Sequence, residues 1–211
     1  MNTKMEDKIQ MIGKVGISIA FLGLLLGFMN PLPALTQPGE GLEFDIDTSQ
    51  SIIHWKCDNH RGTLKIKEGS ISVKKGKIVG GNFIIHMESI ENDDIENTLM
   101  RKTLENILKS EEFFDVEQYP TAEFTLTNSE EKSGGGYWIA GDLTLIGKTR
   151  RICFNSNISL GKSLLEAETE KFSIDRTKWG ITTYSPDYAK SDASFIVSNN
   201  IYFTIHLVAE P

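Results

Sequence analysis

From Leu42 onward apolar and polar side chains alternate with a period of two, and this alternation narrows the choice of fold more than any other feature of the chain. Leu42, Phe44 and Ile46 alternate with Glu43, Asp45 and Asp47, and Ile53, Trp55 and Cys57 alternate with Ile52, His54 and Lys56. Phe83, Ile85 and Met87 share one parity, as do Ala122, Phe124 and Leu126. Ile201, Phe203, Ile205 and Leu207 alternate with Tyr202, Thr204 and His206. Successive side chains of a strand point to opposite faces, so such runs build sheets with one apolar and one wet face.

Turn signals separate the runs. Lys75-Gly76 joins 70–74 to 77–87, and Ser133-Gly134-Gly135-Gly136 joins 121–128 to 137–146. Gly147-Lys148 precedes a strand at 151–159, and Gly161-Lys162 one at about 164–174. Glycine supplies the positive φ that tight hairpins require. The result is an all-β body of eight to ten strands, mostly in hairpins, which must stack as a sandwich or close as a barrel. One helix is expected over about 93–109, capped by Asn92, Asp93 or Asp94. Its apolar stripe is Ile95, Leu99, Leu104, Ile107 and Leu108, and Glu105 precedes Lys109 by four residues. The helix should cover one end or edge of the sheet. Phe113 and Phe114 should plug the barrel end, and Pro120 suits the first position of a strand.

The first 35 residues differ in kind. Lys4, Lys8 and Lys14 precede Val15–Met29, an apolar run of 15 residues interrupted only by Ser18, and Asn-Pro-Leu-Pro-Ala follows. This is the pattern of a secretory signal, and the run is short for a membrane span of about 20 residues. The alternative is an uncleaved anchor over residues 15–29, which would be the only membrane attachment apart from transient lipid exchange. The chain thus divides into a signal or anchor at 1–35, a linker at 36–41 and one domain at 42–211, and a periplasmic or secreted location is expected.

Charge excludes one class of partner. Residues 1–35 hold three lysines against Glu6 and Asp7, a net of +1, which takes the remainder from −7 to −8. An acidic body is repelled by phosphate backbones, so no nucleic-acid partner is expected. Cys57 and Cys153 have no zinc spacing, and the sequence leaves open whether they form a disulfide or stay free.

Several segments carry a resemblance. Asp47-Thr48-Ser49-Gln50-Ser51-Ile52-Ile53-His54-Trp55, His60-Arg61-Gly62-Thr63, and Ser89-Ile90 followed by Asp94 occur in that order. They are followed by Leu104–Phe124 (LENILKSEEFFDVEQYPTAEF), Gly141–Thr149 (GDLTLIGKT) and Phe172–Ile181 (FSIDRTKWGI). Together they resemble the YceI-like family of lipocalin-like, polyisoprenoid-binding proteins, from about Leu42 to Val208. The resemblance implies an eight-stranded antiparallel barrel with an inserted helix and an elongated cavity. It also implies export and a bound isoprenoid chain such as a polyprenyl or quinone tail. It brings no catalytic residues.

A barrel of about eight strands is wide enough to be filled by side chains or to hold one slim ligand. Strand parity offers Trp55, Phe83, Ile85, Phe124, Leu126, Leu143, Phe154, Phe172, Trp179 and Phe203 as wall candidates, or equally as packed core. His60, Arg176 and Lys178 lie at turns or strand ends where a headgroup could sit. Arg176 suits an anionic or carbonyl group, or a structural pair with a carboxylate. His54, His86 and His206 fall on polar faces, so neither a metal nor a cofactor is expected. The favoured reading is a non-catalytic lipid carrier or store. The alternatives are a packed envelope module and, further off, an enzyme on a lipid-like substrate using His60, although GxSxG and HExxH motifs are missing. Homodimerisation stays open.

Overall fold

The computed structural model describes residues 41–188 and 195–211. The signal or anchor at 1–35, and the linker up to residue 40, lie outside the described residues.

The strands are β1 (Leu42–Ile46), β2 (Ile52–Cys57), β3 (His60–Lys74), β4 (Lys77–Asn92), β5 (Thr121–Glu131), β6 (Tyr137–Leu145), β7 (Lys148–Leu160), β8 (Leu165–Thr169), β9 (Phe172–Asp175) and β10 (Asn200–Glu210). Helix α1 (Thr98–Lys109) lies between β4 and β5, and a 3₁₀ turn (Arg176–Trp179) follows β9. Each strand from β2 to β7 pairs antiparallel with the next, and β10 pairs with both β8 and β2. That closes a ring of eight positions. β1 pairs with β3 and β10, continuing the position of β2, and β9 pairs with β10, continuing that of β8. Ten segments therefore make the eight-stranded barrel that the resemblance implies.

The two interruptions have local causes. Between β1 and β2 the Asp47 carboxylate accepts from the Ser49 hydroxyl, the Ser49 N–H and the Gln50 side chain, and these bonds bring its pKa down to about 2. Ser51 Oγ then takes a place in the ladder, accepting from the Val208 N–H at 3.0 Å. Where β8 ends, Thr169 Oγ1 accepts from the Ile205 N–H at 2.9 Å. In both places a hydroxyl stands in for a backbone carbonyl.

Turns and connections sort to the two ends. Lys75-Gly76, the 132–136 turn and the 161–164 turn lie at one end, where Phe44, Leu165 and Ala209 are fully buried and form the floor. Both Lys75 and Gly76 have positive φ, as a two-residue hairpin demands. The other end carries the Asp58-Asn59 and Ile146-Gly147 turns, α1 and the segments 180–188 and 195–199. Outward positions such as Lys56, Lys65, Lys67, Glu123, Glu166 and Glu168 are charged and exposed. This is the reverse of a membrane-spanning barrel, whose outer band is apolar.

Helix α1 starts later than its sequence signals indicate. Its cap is Asn97, whose side-chain oxygen accepts from the Leu99 and Met100 N–H groups at 3.0 and 3.1 Å. The earlier candidates are already engaged: Asn92 donates to the Arg61 carbonyl and to Asp94, and accepts from the Ile95 N–H. Glu105 does not pair with Lys109, because it accepts the Asn92 N–H while Lys109 reaches Glu88 at 3.3 Å. Pro120 stands just before β5, where its carbonyl accepts from the Met87 N–H.

Two glycines admit large rings. A Cβ on Gly62 would lie 1.8 Å from the Glu91 carbonyl oxygen and 2.8 Å from the Trp55 ring. One on Gly141 would lie 2.2 Å from the Phe124 ring, which overhangs β6 at that point. Gly141→Ala is expected to cost about 1–3 kcal/mol through overpacking. Gly134→Ala, with nothing within 4 Å, should change stability by less than about 0.5 kcal/mol. Urea denaturation of the two variants measures both effects.

Candidate ligand cavity

The ring encloses a cavity of about 1050 Å³, at the upper end of the roughly 300–1,000 Å³ usual for small-molecule pockets. All eight positions of the ring contribute to its wall: Ile53 and Trp55 from β2, Leu64 and Ile66 from β3, and Phe83, Ile85 and Met87 from β4. Phe124 and Leu126 come from β5, Leu143 from β6, Phe154 from β7, Ala167 and Phe172 from β8 and β9, and Phe203, Ile205 and Leu207 from β10. On β4 the lining runs from Ile78 to Ile90. Twelve residue steps at ~3.3 Å each cover about 40 Å of strand, or roughly 30 Å along the axis at the usual tilt.

The aromatic rings form a connected chain. Phe83 and Phe124 face each other across β4 and β5, with centroids 6.0 Å apart. Phe124 lies 5.7 Å from Phe154, an approach that the missing side chain of Gly141 permits. Phe154 stacks on Phe172 at 4.5 Å, and Phe172 lies 5.8 Å from Phe203. Phe203 is in register with Trp55, whose indole N–H donates to the Glu91 carbonyl.

One end of the cavity is its mouth. Leu104, Ile107 and Leu108 of α1 border it, as do Phe113, Phe114, Tyr184, Phe195 and Ile196. Of these, Ile107, Tyr184, Phe195 and Ile196 are also 37%, 39%, 59% and 45% exposed, so the rim itself is apolar. Phe113 and Phe114 are buried at this end, where the sequence places them.

Polar groups gather at the same end. Asp58, Asn59 and His60, from the turn between β2 and β3, border the cavity. His60 Nδ1 lies 2.9 Å from Asp94 Oδ2. Asp94 Oδ1 accepts from the Arg61 N–H and from Asn92 Nδ2, each at 2.7 Å. Burial raises the pKa of Asp94, but the bonds from Arg61, His60 and Asn92 outweigh it and leave the carboxyl below its ordinary range. Among the described residues no three His, Cys, Asp or Glu side chains converge as a metal site.

Eleven of the thirteen residues singled out from the sequence border the cavity, and Trp179 and Lys178 do not. Trp179 is 1% exposed, and its Nε1 donates to the Leu143 carbonyl at 3.1 Å, packing behind the wall. It sits in the 3₁₀ turn, where strand parity does not set direction. Arg176 borders the cavity but makes no hydrogen bond or ion pair with a carboxylate among the described residues. It is fully buried, and its Nε, Nη1 and Nη2 donate to the carbonyls of Ser198, Ile181 and Val197 at 3.0, 2.8 and 3.0 Å. Sequence reasoning missed the long lining of β3, because register shifts after Thr63 and Ile66 break its alternation. It also missed Asp94 behind His60 and the rim residues Tyr184, Phe195 and Ile196.

Comparisons place these features among known proteins. The family model for the YceI-like domain matches residues 44–209. A UPF0312 protein of Photorhabdus laumondii is 30% identical over 99 residues, 46% of this chain and 47% of that protein. A UPF0312 protein of Vibrio cholerae is 27% identical over 124 residues, 54% of this chain and 61% of its own length. The matches thus span about half to three-fifths of these relatives. The crystal structure of BcnA from Burkholderia cenocepacia superposes with a TM-score of 0.62 at 19% identity, covering 78% of this chain and 99% of that one. A polyisoprenoid binding domain from Saccharophagus degradans, implicated in plant cell wall breakdown, gives 0.55 at 14% identity, covering 79% and 97%. At these identities the likeness is one of fold.

The cysteines are free. Cys153 is exposed on β7, whereas Cys57 borders the cavity with its thiol 3.8 Å from the Ser198 carbonyl. Burial, with the Asp58 charge beside it and against the pull of Arg176, pushes the Cys57 thiol up to about 11. Relative to an ordinary thiol near 8.5–9, that lowers the reactive thiolate at pH 8 by roughly a hundredfold. Iodoacetamide at pH 8 should therefore label Cys153 at least about tenfold faster than Cys57, and urea should erase the difference. Peptide mass mapping of the labelled protein reads both rates.

Proposed function

The chain belongs to the YceI-like domain family, and from that premise we propose that it is a lipid carrier that holds one long apolar chain of the isoprenoid kind inside its barrel. The observation that carries the proposal is the open, closed-walled and almost wholly apolar interior. At ~25 cal/mol per Å², roughly 400 Å² of buried tail is worth about 10 kcal/mol before the entropic cost of binding. Affinity then needs no charged group, and cavity depth sets the length of tail that fits. The methyl branches of an isoprenoid suit a wall of aromatic and branched aliphatic side chains, which leaves hollows between its rings.

Trp55, Phe83, Ile85, Phe124, Leu126, Leu143, Phe154, Phe172 and Phe203 are the residues assigned to contact the tail. Entry and exit run past Ile107, Tyr184, Phe195 and Ile196, whose exposed apolar surfaces continue the lining outward. The unfilled interior supports carriage over a packed structural module. The lysines and apolar run of residues 1–29 support work in the cell envelope.

Organic extraction of the full chain purified from its native envelope, followed by mass spectrometry, should yield about one isoprenoid per chain, the occupancy one slim-ligand barrel allows. Leu126→Trp fills the lumen and should cut lipid uptake at least about tenfold, with circular dichroism unchanged. Protein that is empty on isolation and that takes up neither polyprenols nor quinones overturns the proposal.

A further inference from the structure

The charges at the cavity mouth specify a headgroup. We propose that the cavity selects an uncharged lipid bearing a hydroxyl group, an alcohol or a phenol, and rejects the corresponding phosphate. The proposal rests on the carrier reading and adds the chemistry of the end that stays at the mouth.

Three observations carry it. First, the ionisable side chains among the described residues that border the cavity include no lysine and only one arginine, Arg176. Each nitrogen of that guanidinium donates one hydrogen bond to a backbone carbonyl, and the side chain is fully buried. Among the described residues of the lining, a phosphate would find no lysine and no other arginine. Second, the mouth carries Asp58, with Asp94 directly behind His60. An anionic headgroup placed there meets charges of its own sign, an arrangement that discriminates against it. Third, the polar set has an acceptor to offer. Asp94 is fixed by Arg61 and Asn92 and in turn accepts from His60 Nδ1, so the neutral ring carries its proton on that nitrogen. His60 Nε2 makes no hydrogen bond among the described residues, and in the neutral ring it is an acceptor on the cavity border. A hydroxyl donates to such a nitrogen, and a polar pocket that is otherwise satisfied gains nothing from a charge.

The test sets three ligands of one chain length in competition for the full chain, read by native mass spectrometry from detergent micelles: a polyprenol, its monophosphate and the matching headless hydrocarbon. The alcohol should bind at least about tenfold tighter than the phosphate, a like-charge penalty. Asp58→Asn should narrow that ratio at least about threefold by removing one of the repelling charges. His60→Phe should lower the alcohol-to-hydrocarbon ratio at least about fivefold, the value of a lost polar contact. Uptake of alcohol and phosphate with equal affinity, or a His60→Phe variant with an unaltered ratio, overturns the headgroup assignment and leaves the carrier reading standing. Uptake of none of the three overturns both.

Discussion

Five phenylalanine rings that lean on one another along the wall, instead of interlocking across the lumen, keep the interior open. In a small barrel, inward side chains usually meet at the axis and fill it. Here Phe83, Phe124, Phe154, Phe172 and Phe203 satisfy one another sideways, at centroid distances of 4.5 to 6.0 Å. The contact is lateral because the rings stand on neighbouring positions of the ring and because Gly141 lets Phe124 lie across β6. Aromatic pairs at such distances gain energy beyond simple burial, so the wall is coherent without a plug. The apolar character of the lumen and its mouth then follows from which face of each strand turns inward.

Most of this wall was legible from the sequence, because period two is a direct consequence of strand geometry. β2, β5 up to Leu126 and β10 up to Leu207 keep the alternation, and the residues read as inward from them do border the cavity. The reading failed where the backbone departs from that geometry. Trp179 lies in a 3₁₀ turn, and β3 shifts register twice within its first nine residues. The helix start was misplaced because Asn92 and Asp94 look like caps but serve a long-range contact to β3. Such a contact leaves no trace in local spacing. The number of strands was ambiguous for a similar reason: Ser51 and Thr169 interrupt ladders without ending the position they occupy.

Arg176 and His60, two of the three headgroup candidates, show how such residues divide between roles. Arg176 looks like a binding residue in one dimension, yet its guanidinium caps the carbonyls of Ile181, Val197 and Ser198, which lie outside the sheet. An unpaired buried carbonyl is costly, and one arginine answers three of them. His60, by contrast, is held from one side only. Burial and partner count separate the two, and neither is written in the residue type.

The order of the strands along the chain has a consequence for how the container comes into being. β2 and β8 are joined only by β10, the last strand in sequence. As the polypeptide is made, every hairpin from β2 to β8 can form while the sheet remains an open curl with two bare edges and its phenylalanines turned to water. The vessel has no partial version. Closing the hollow requires residues 200–210 to pair with β2, setting Phe203 beside Trp55, and contacts this distant in sequence are slow to form. A chain stopped short of that pairing keeps nearly all its local structure and has nowhere to put a guest.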